Sequence, residues 1–516
     1  MPIIGSVIKN AIALRSKFPY DNRKVHPRSL QVRTLRKLIK KAQHTKFGEA
    51  NHFEQILHSK DLVADFQKNV PIYDYKHLYR EWWYRTLNNE PYVTWPGRVK
   101  YFALSSGTSE ASSKHIPVTN DMLRAIKKTS IRQIFSLANF RFPHSFYEKG
   151  ILMLGGSTHL QYNGTYYEGD LSGITAGNIP FWFQHFYKPG KRISKERDWN
   201  TKLDEIVKKA KSWDIGVICG VPAWLQILLE RIIEHYNLNN IHEIWPNLNI
   251  FVHGGVSFAP YKEGFEKLLA HPLTYIETYL ASEGFIAYQS RPHTDGMELV
   301  LDNGIFMEFV PFTDKNFDEE GNILQDAEAL LIDEVKADTD YALLISTVSG
   351  AWRYMIGDII KFTDLERREV VITGRTKFFL NCCGEHLSQE NMNRAIEMTA
   401  KDLNTVIREF AVTIEMHGSM FAHKWYLGAD HEISPEKAKK QLDAHLKKLN
   451  DDYRVERIAA IKEVYVEVLP VELFYQFMKA KGKIGGQHKF PRVLKNNILE
   501  EWKAFLEKNR ETKFEK

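Results

Sequence analysis

The chain has 516 residues, too many for one small core and enough for two or three domains. Hydrophobic residues make up 43% and charged residues 26%, which excludes the depleted, highly charged composition of a disordered chain. Seventy Lys and Arg against 64 Asp and Glu leave a formal charge of +6, too slight over so large a surface to imply nucleic acid, though suited to anionic small substrates.

The opening MPIIGSVIKNAIALRSKFPY is broken by Lys9 and Asn10 after an apolar run too short for a signal-peptide core or a membrane span. It reads as an amphipathic helix packed on the body, not as a membrane contact. A second amphipathic helix carries Leu35, Leu38, Ile39 and Ala42 and ends near Gly48. PGRVKYFAL reads as a turn and strand, SSGTSEASSK as a loop, HIPVT as a second strand, and NDMLRAIKKTSIRQIFSLANF as a helix capped by Asn120 or Asp121. Strands GILMLGG, DIGVICG and LNIFVHGG then alternate with helices TKLDEIVKKAKSW, PAWLQILLERIIEHYN and PYKEGFEKLLA, the pattern of an α/β sheet that is largely parallel.

Beyond Tyr279 closely spaced strands follow: MELVLD, GIFMEFVPF, AEALLIDEV, YALLIST, IIKFT and REVVITG. They predict a β-rich, barrel-like subdomain. The remainder alternates helices with FAVTIEM, KWYLGA and EVYVEVL, a compact α+β unit. The fold class is therefore α/β, with a large N-terminal domain over 1–376 and a small, mobile α+β domain over 377–516.

Four stretches carry candidate chemistry. Ser105, Ser106, Gly107, Thr108, Ser109 and Lys114 form a loop rich in hydroxyl and backbone donors. It is not a Walker A loop, because no Gly precedes Lys114 and His115 replaces the required Ser or Thr. In TYLASEG, Glu283 offers oxygen to Mg²⁺ and Tyr279 a flat face to an adenine ring, although a Ser-Glu pair also starts helices. In WRYMIGDIIKFT, Asp358 follows Gly357 and can accept two ribose hydroxyls, while Gly-Asp is equally a common turn. Lys489 in GGQHKFPRV is either a cation on a hinged loop or a solvated lysine. The three cysteines, Cys219, Cys382 and Cys383, have neither CxxC spacing nor nearby His partners, and read as reduced thiols of a cytoplasmic protein.

The order of these stretches resembles the adenylate-forming superfamily of acyl ligases. Within it the chain is most similar to the acyl-acid-amido synthetases of the Gretchen Hagen three family, along nearly its whole length. SSGTS with Lys114 matches that family's phosphate loop. VHGGVSFAPY is similar to its adenine-side segment, which places His253, Gly254 and Gly255 at a strand-end turn, with His253 where plant members carry Thr. TYLASE looks like its Tyr-x-x-Ser-Glu element, implying that Thr278 and Tyr279 lie at the nucleotide and that Glu283 is the magnesium-side carboxylate. Asp358 falls on the ribose-binding Asp, Arg375 of GRTK on the Arg near the domain hinge, and Lys489 of QHKFPR on the Lys of a Gln-x-Lys-x-Pro-Arg ending. Gly384 and Glu385 stand where the plant enzymes carry Asp-Lys, so a cation is missing or supplied elsewhere.

The resemblance implies ATP and Mg²⁺ as cofactors, a small carboxylic acid and an amino acid acceptor as partners, and a monomer or weak homodimer without nucleic acid or membrane. Glu283, Arg375 and Lys489 would be catalytic, and the acid would pass through an acyl adenylate to an amide. A coenzyme A ligase and a non-catalytic nucleotide-binding protein are the alternatives. The aromatic-rich IPFWFQHFYKPG, 179–190, is either acyl pocket or core.

Overall fold

The structure is a computed structural model that describes residues 25–105, 114–140, 142–177, 184–255, 258, 261–318, 321–324, 326–377, 379–385, 387–481 and 490–509. The expected N-terminal helix at residues 3–12 lies outside them. The described residues divide into two compact units, one of residues up to 105 and from 114 to 377, the other of residues from 379 onward.

In the first unit, helix α1 (Pro27–Ala42) begins with Pro, whose missing N–H costs nothing in a first turn, and ends with Lys40 and Lys41 beside its carbonyls. Its buried Gln31 donates to the Leu301 and Ile305 carbonyls and accepts the Met307 N–H at 2.7 Å, so a polar side chain ties the helix to the sheet. Strands β1 (Tyr101–Ser105) and β2 (Lys114–Val118) pair antiparallel, Ser105 opposite Lys114. Helix α2 (Asn120–Ser136) comes next. Its cap is Thr119, one residue before the expected position: the hydroxyl accepts the Met122 N–H, while Asp121 is taken by Lys41 and the Trp95 indole.

The next strands are β3 (Gly150–Leu154), β4 (Gln161–Tyr162), β5 (Tyr167–Gly169) and β6 (Tyr187–Lys188). Helix α3 (Trp199–Ala210) leads to β7 (Ile215–Gly220), and α4 (Pro222–Tyr236) to β8 (Ile250–Gly254). The expected helix over PYKEGFEKLLA is reduced to α5 (Lys262–Glu266). Then come β9 (Thr274–Ala281), β10 (Gly284–Tyr288), β11 (Met297–Leu299), β12 (Ile305–Pro311), β13 (Asp340–Thr347), β14 (Tyr354–Asp364) and β15 (Glu369–Arg375).

Eleven of these strands form one sheet in the order β12-β13-β14-β15-β11-β10-β9-β8-β7-β3-β6. From β9 to β6 the pairs are parallel, joined by crossover helices, and the central strands β7 and β8 read as largely apolar runs because most of their residues are covered on both faces. From β9 to β12 the pairs are antiparallel, so the β-rich stretch shares one sheet with the α/β half.

AEALLIDEV is not a strand. It touches β12 through a single bridge, Phe309 with Leu330, then turns as Glu334 accepts the Leu331 N–H. Asp333 and Glu334 face Arg28 at 3.2 Å while Leu331, Ile332 and Val335 are buried, so charge pairing on one side and burial on the other hold an irregular segment against β12.

The second unit contains β16 (Phe379–Leu380), β17 (Leu387–Ser388), α6 (Gln389–Asp402), β18 (Ile407–His417), β19 (Met420–Ala429), α7 (Pro435–Leu449), α8 (Asp451–Ala459), β20 (Ile461–Pro470), α9 (Val471–Ala480) and α10 (Asn496–Lys508). Ser434 caps α7, with Pro435 in its first turn. The sheet order is β18-β19-β20, with β20 parallel to β19, over a core centred on Phe474, Phe477, Phe490 and Trp502.

Candidate functional site

The β9–β10 hairpin places the first carboxylate. Ala281 pairs with Gly284, which leaves Ser282 and Glu283 as the two-residue turn; the pair starts no helix. Glu283 is buried, and the Tyr354 side chain hydrogen-bonds to it. Burial raises the Glu283 pKa, Asp358 raises it further, and Lys114 and Arg375 pull the other way. Lys114, at the start of β2, has its amine pushed down to about 8 by burial, with Glu283 opposing that shift. Its Nζ lies 5.4 Å from the centre of the Tyr75 ring.

Strands β14 and β15 place the second carboxylate. Gly357 sits at φ +92°, a left-handed conformation that a side chain would strain, and the irregularity brings Asp358 into register with Arg375. Asp358 accepts the Tyr279 hydroxyl at 2.5 Å and the Arg375 Nε at 2.9 Å. Tyr279 is buried, so its hydroxyl orients Asp358. Two carboxylates, Glu283 and Asp358, thus form one interacting cluster with two cations, Lys114 and Arg375. Such a set can hold an anion on the cations and hydroxyls or a hard metal ion on the carboxylates.

The parallel strands end beside it. A Cβ on Gly254 would lie 2.3 Å from the Thr278 carbonyl, so only Gly lets β8 and β9 approach here, and the Thr278 hydroxyl donates to the His253 carbonyl at 2.9 Å. Gly255 is exposed. The His253 imidazole packs between Phe251 and Phe258 at 5.3 and 5.0 Å, and burial lowers its pKa to about 4. It is a neutral core ring, and what it offers the strand end is its carbonyl. A cavity of about 260 Å³ lies at these ends, lined by Gly155, Gly220, Gly254, Thr278 and Lys202, whose buried amine donates to the Gly155 carbonyl at 3.2 Å. A second cavity of about 540 Å³ runs between α2 and the sheet. The two share Met153, Cys219, Val252 and Thr278 as walls.

Models of the GH3 family N-terminal domain match residues 20–203 and 129–273, of its central domain residues 298–372, and of its C-terminal domain residues 390–498. The chain belongs to the GH3 family. Indole-3-acetic acid-amido synthetase GH3.10 of Arabidopsis thaliana is 21% identical over 279 residues, 50% of this chain and 47% of that protein. GH3.2 of the same organism is 24% identical over 240 residues, 42% and 43% of the two. The chain thus spans about half the length of the curated relatives it matches. The solved structure of GH3.15 acyl acid amido synthetase superposes over 97% of this chain and 96% of its own with a TM-score of 0.58 at 16% identity. A 2-hydroxyisobutyryl-CoA ligase in complex with 2-HIB-AMP and CoA does so over 94% and 92% with a TM-score of 0.57 at 14%. At such identities the likeness is one of fold.

In this GH3 chain the structure brings together Lys114, Tyr279, Glu283, Asp358 and Arg375, and separately Gly254, Gly255 and Thr278 at the strand ends. Ser105 closes β1, and Ser106, Gly107, Thr108, Ser109 and Lys489 lie outside the described residues. Sequence reading missed Tyr354, Tyr75 and Lys202, which carry no motif of their own. It also missed the wall of the larger cavity: of IPFWFQHFYKPG, residues 179–183 lie outside the described set, and Tyr187 and Pro189 line the smaller cavity instead. The one signal was the apolar run Leu123, Ile126, Ile131 and Ile134 along α2, continued by Leu137 at its C-terminal end.

In the second unit Glu385 is fully buried. It accepts the Cys382 and Cys383 N–H groups at 2.9 Å and pairs with His423 Nε2 at 3.0 Å. Sequence spacing gave these cysteines no His partner, yet His423, on β19, stands beside them and is the cation that Glu385 meets. Burial works to raise the Glu385 pKa, but the His423 contact and the backbone N–H groups outweigh it and hold it at about 2. Burial likewise works to lower that of His423, and the Cys382 and Glu385 contacts raise it to about 9.

Proposed function

We propose that this chain is an ATP-dependent acyl acid amido synthetase, which adenylates an apolar carboxylic acid and passes the acyl group to an amino acid amine. The observation that carries the reading is the Glu283–Lys114–Asp358–Arg375 cluster, tied through the Tyr279 hydroxyl to β9, where the adjacent Thr278 walls both the strand-end cavity and the apolar one. Family membership and the amido synthetase activity named for its relatives support it.

A free carboxylate resists an amine because it is anionic and its oxygen leaves poorly. In the first step a carboxylate oxygen attacks the α-phosphorus of ATP, the bond to the bridging oxygen breaks, and pyrophosphate leaves. Such a displacement needs positioning and charge neutralisation more than covalent help. Asp358, aligned by Tyr279 and Arg375, takes the ribose hydroxyls. Lys114 and the donors of Ser105–Ser109 neutralise the departing phosphates. Lys489, from the second unit, neutralises charge on the reacting phosphate and carboxylate. In the second step an amine attacks the acyl carbon, AMP leaves, and a proton is released.

Glu283 is the residue that would hold Mg²⁺. The fit is that of a site completed by substrate: one buried carboxylate is present, and Mg²⁺ commonly takes one or two carboxylates with the remainder from phosphate and water. The ion supplies charge neutralisation on the phosphates.

The fold shared with a CoA ligase favours one competing reading, a thioester product. Incubation of the full chain with ATP, Mg²⁺, a panel of acids, all amino acids and coenzyme A, with products identified by mass, separates the two. Amide with AMP is expected; thioester without amide would sink the proposal.

A further inference from the structure

We propose that the acid is a long, unbranched aliphatic monocarboxylate of about ten to sixteen carbons, lying with its chain in the cavity between α2 and the sheet. This rests on the adenylating reading above and names its substrate class.

Three observations carry it. The first is length. The cavity wall runs from Leu123 on α2 to Leu137, the residue that caps its C-terminal end, about 21 Å at 1.5 Å per residue. A fully staggered chain advances about 1.3 Å per carbon, so the wall spans roughly sixteen carbons. The second is volume. About 540 Å³ lies within the roughly 300–1,000 Å³ of ordinary small-molecule pockets, about twice the 260 Å³ of the strand-end cavity. The length exceeds what a two-ring acid such as indole-3-acetate spans.

The third is chemistry. The floor is aliphatic, with Ile151, Val217, Ile250 and Ile276 from the sheet facing Ile134 and Leu137 of the helix. Phe285 is the sole aromatic ring among the described lining residues. The sheet side carries no basic or acidic group among the described residues, and the charged and amide side chains that line the cavity, Asn120, Arg124, Lys127 and Gln133, all stand on the helix side. Arg124 and Lys127 are exposed on the helix side of the wall, where they draw anions to the cavity. The cavity meets the strand-end cavity at Cys219, Val252 and Thr278, so the carboxylate of a chain filling it emerges beside the proposed nucleotide site.

The test uses the full chain with ATP, Mg²⁺ and straight-chain saturated acids from four to sixteen carbons, with indole-3-acetate alongside. Acid-dependent pyrophosphate exchange gives kcat/KM for each, and fluorescence titration without ATP gives direct affinity. The expected result is a rise of up to about fourfold per methylene, the value of burying one CH₂, with an optimum at ten carbons or more. Ile134→Trp and, separately, Val217→Phe move that optimum to shorter acids while KM for ATP stays fixed. An optimum at six carbons or fewer, a preference for indole-3-acetate, or an equal loss on every acid in both variants overturns the proposal. If long acids bind in titration with the same chain-length trend and none supports exchange, the substrate class stands and the adenylating reading falls.

Discussion

Asp358 is the residue on which the nucleotide reading turns. It follows, within β14, a glycine at positive φ, and is buried, with both oxygens engaged by Tyr279 and Arg375. A carboxylate so aligned is already in the geometry that a diol needs, and hydrogen bonds to a charged group are worth about 1.5–3 kcal/mol each. Asp358→Asn keeps the shape and removes the charge, so AMP affinity measured by calorimetry should fall about ten- to a hundredfold. Tyr279→Phe removes only the aligning hydroxyl and should cost a few-fold, in line with about 1 kcal/mol for a net hydrogen bond. Equal AMP affinity in wild type and Asp358→Asn would remove Asp358 from the site. His253 shows the opposite case: a residue singled out by its position beside the glycine pair proves to be a neutral ring among aromatics, and its imidazole contributes packing.

At the scale of elements, a buried ion pair holds each unit at a point where the chain turns. Arg353, just before β14, makes a two-nitrogen contact with Glu308 of β12, at 3.0–3.2 Å, and donates to the Gln67 and Val70 carbonyls. Glu308→Ala strands a buried guanidinium, and the loss of stability should be about 3–5 kcal/mol by denaturant titration. Glu385 and His423 play the same part between the cysteine turn and β19. The two shifts set the sign of their pH dependence. His423, raised to about 9 from 6.5, contributes stability that is full below 6.5 and lost as pH climbs through 9. Glu385, lowered to about 2 from 4.5, contributes above 4.5 and loses that contribution as pH falls through 2. Thermal unfolding of the wild type should therefore show this pair's support greatest between pH 4.5 and 6.5. Glu385→Gln should flatten the decline toward pH 9; an unaltered decline would show that another group sets it. Neither pair was legible in the sequence, because Glu308 and Arg353, like Glu385 and His423, are far apart along the chain and carry no spacing signal. The helices were legible, since α1, α3 and α7 each bury one periodic face, and AEALLIDEV was misread because alternating apolar residues look alike in a strand and in a loop that buries one side.

For the whole molecule, the motif order was legible and the cavities were not. Tyr279, Asp358 and Arg375 could be assigned to one site because the order of their motifs matches that of the family the chain resembles. The space between α2 and the sheet depends on how far two layers stand apart, which no local pattern encodes. Nor does a local pattern reveal how the chain is held on the C-terminal side of Lys489. Phe490 is buried, with its ring 4.8 Å from Phe474 and 5.0 Å from Trp502, and the backbone of Arg492 and Leu494 hydrogen-bonds with Val412 of β18. Arg492 also pairs with Glu409 at 2.5 Å. Lys489 therefore immediately precedes, in sequence, an anchor fixed in the core of the second unit. If its ammonium neutralises charge only in the transition state, Lys489→Ala should lower acid-dependent pyrophosphate exchange about a hundredfold or more, with ATP affinity and the melting temperature unchanged. Phe490→Ala should depress exchange as well, but together with about 3–5 kcal/mol of stability, because it empties part of an aromatic core. The contrast separates the two roles: exchange that falls only when stability falls would make Lys489 a neighbour of the anchor, and exchange unaffected in Lys489→Ala would take the lysine out of the reaction.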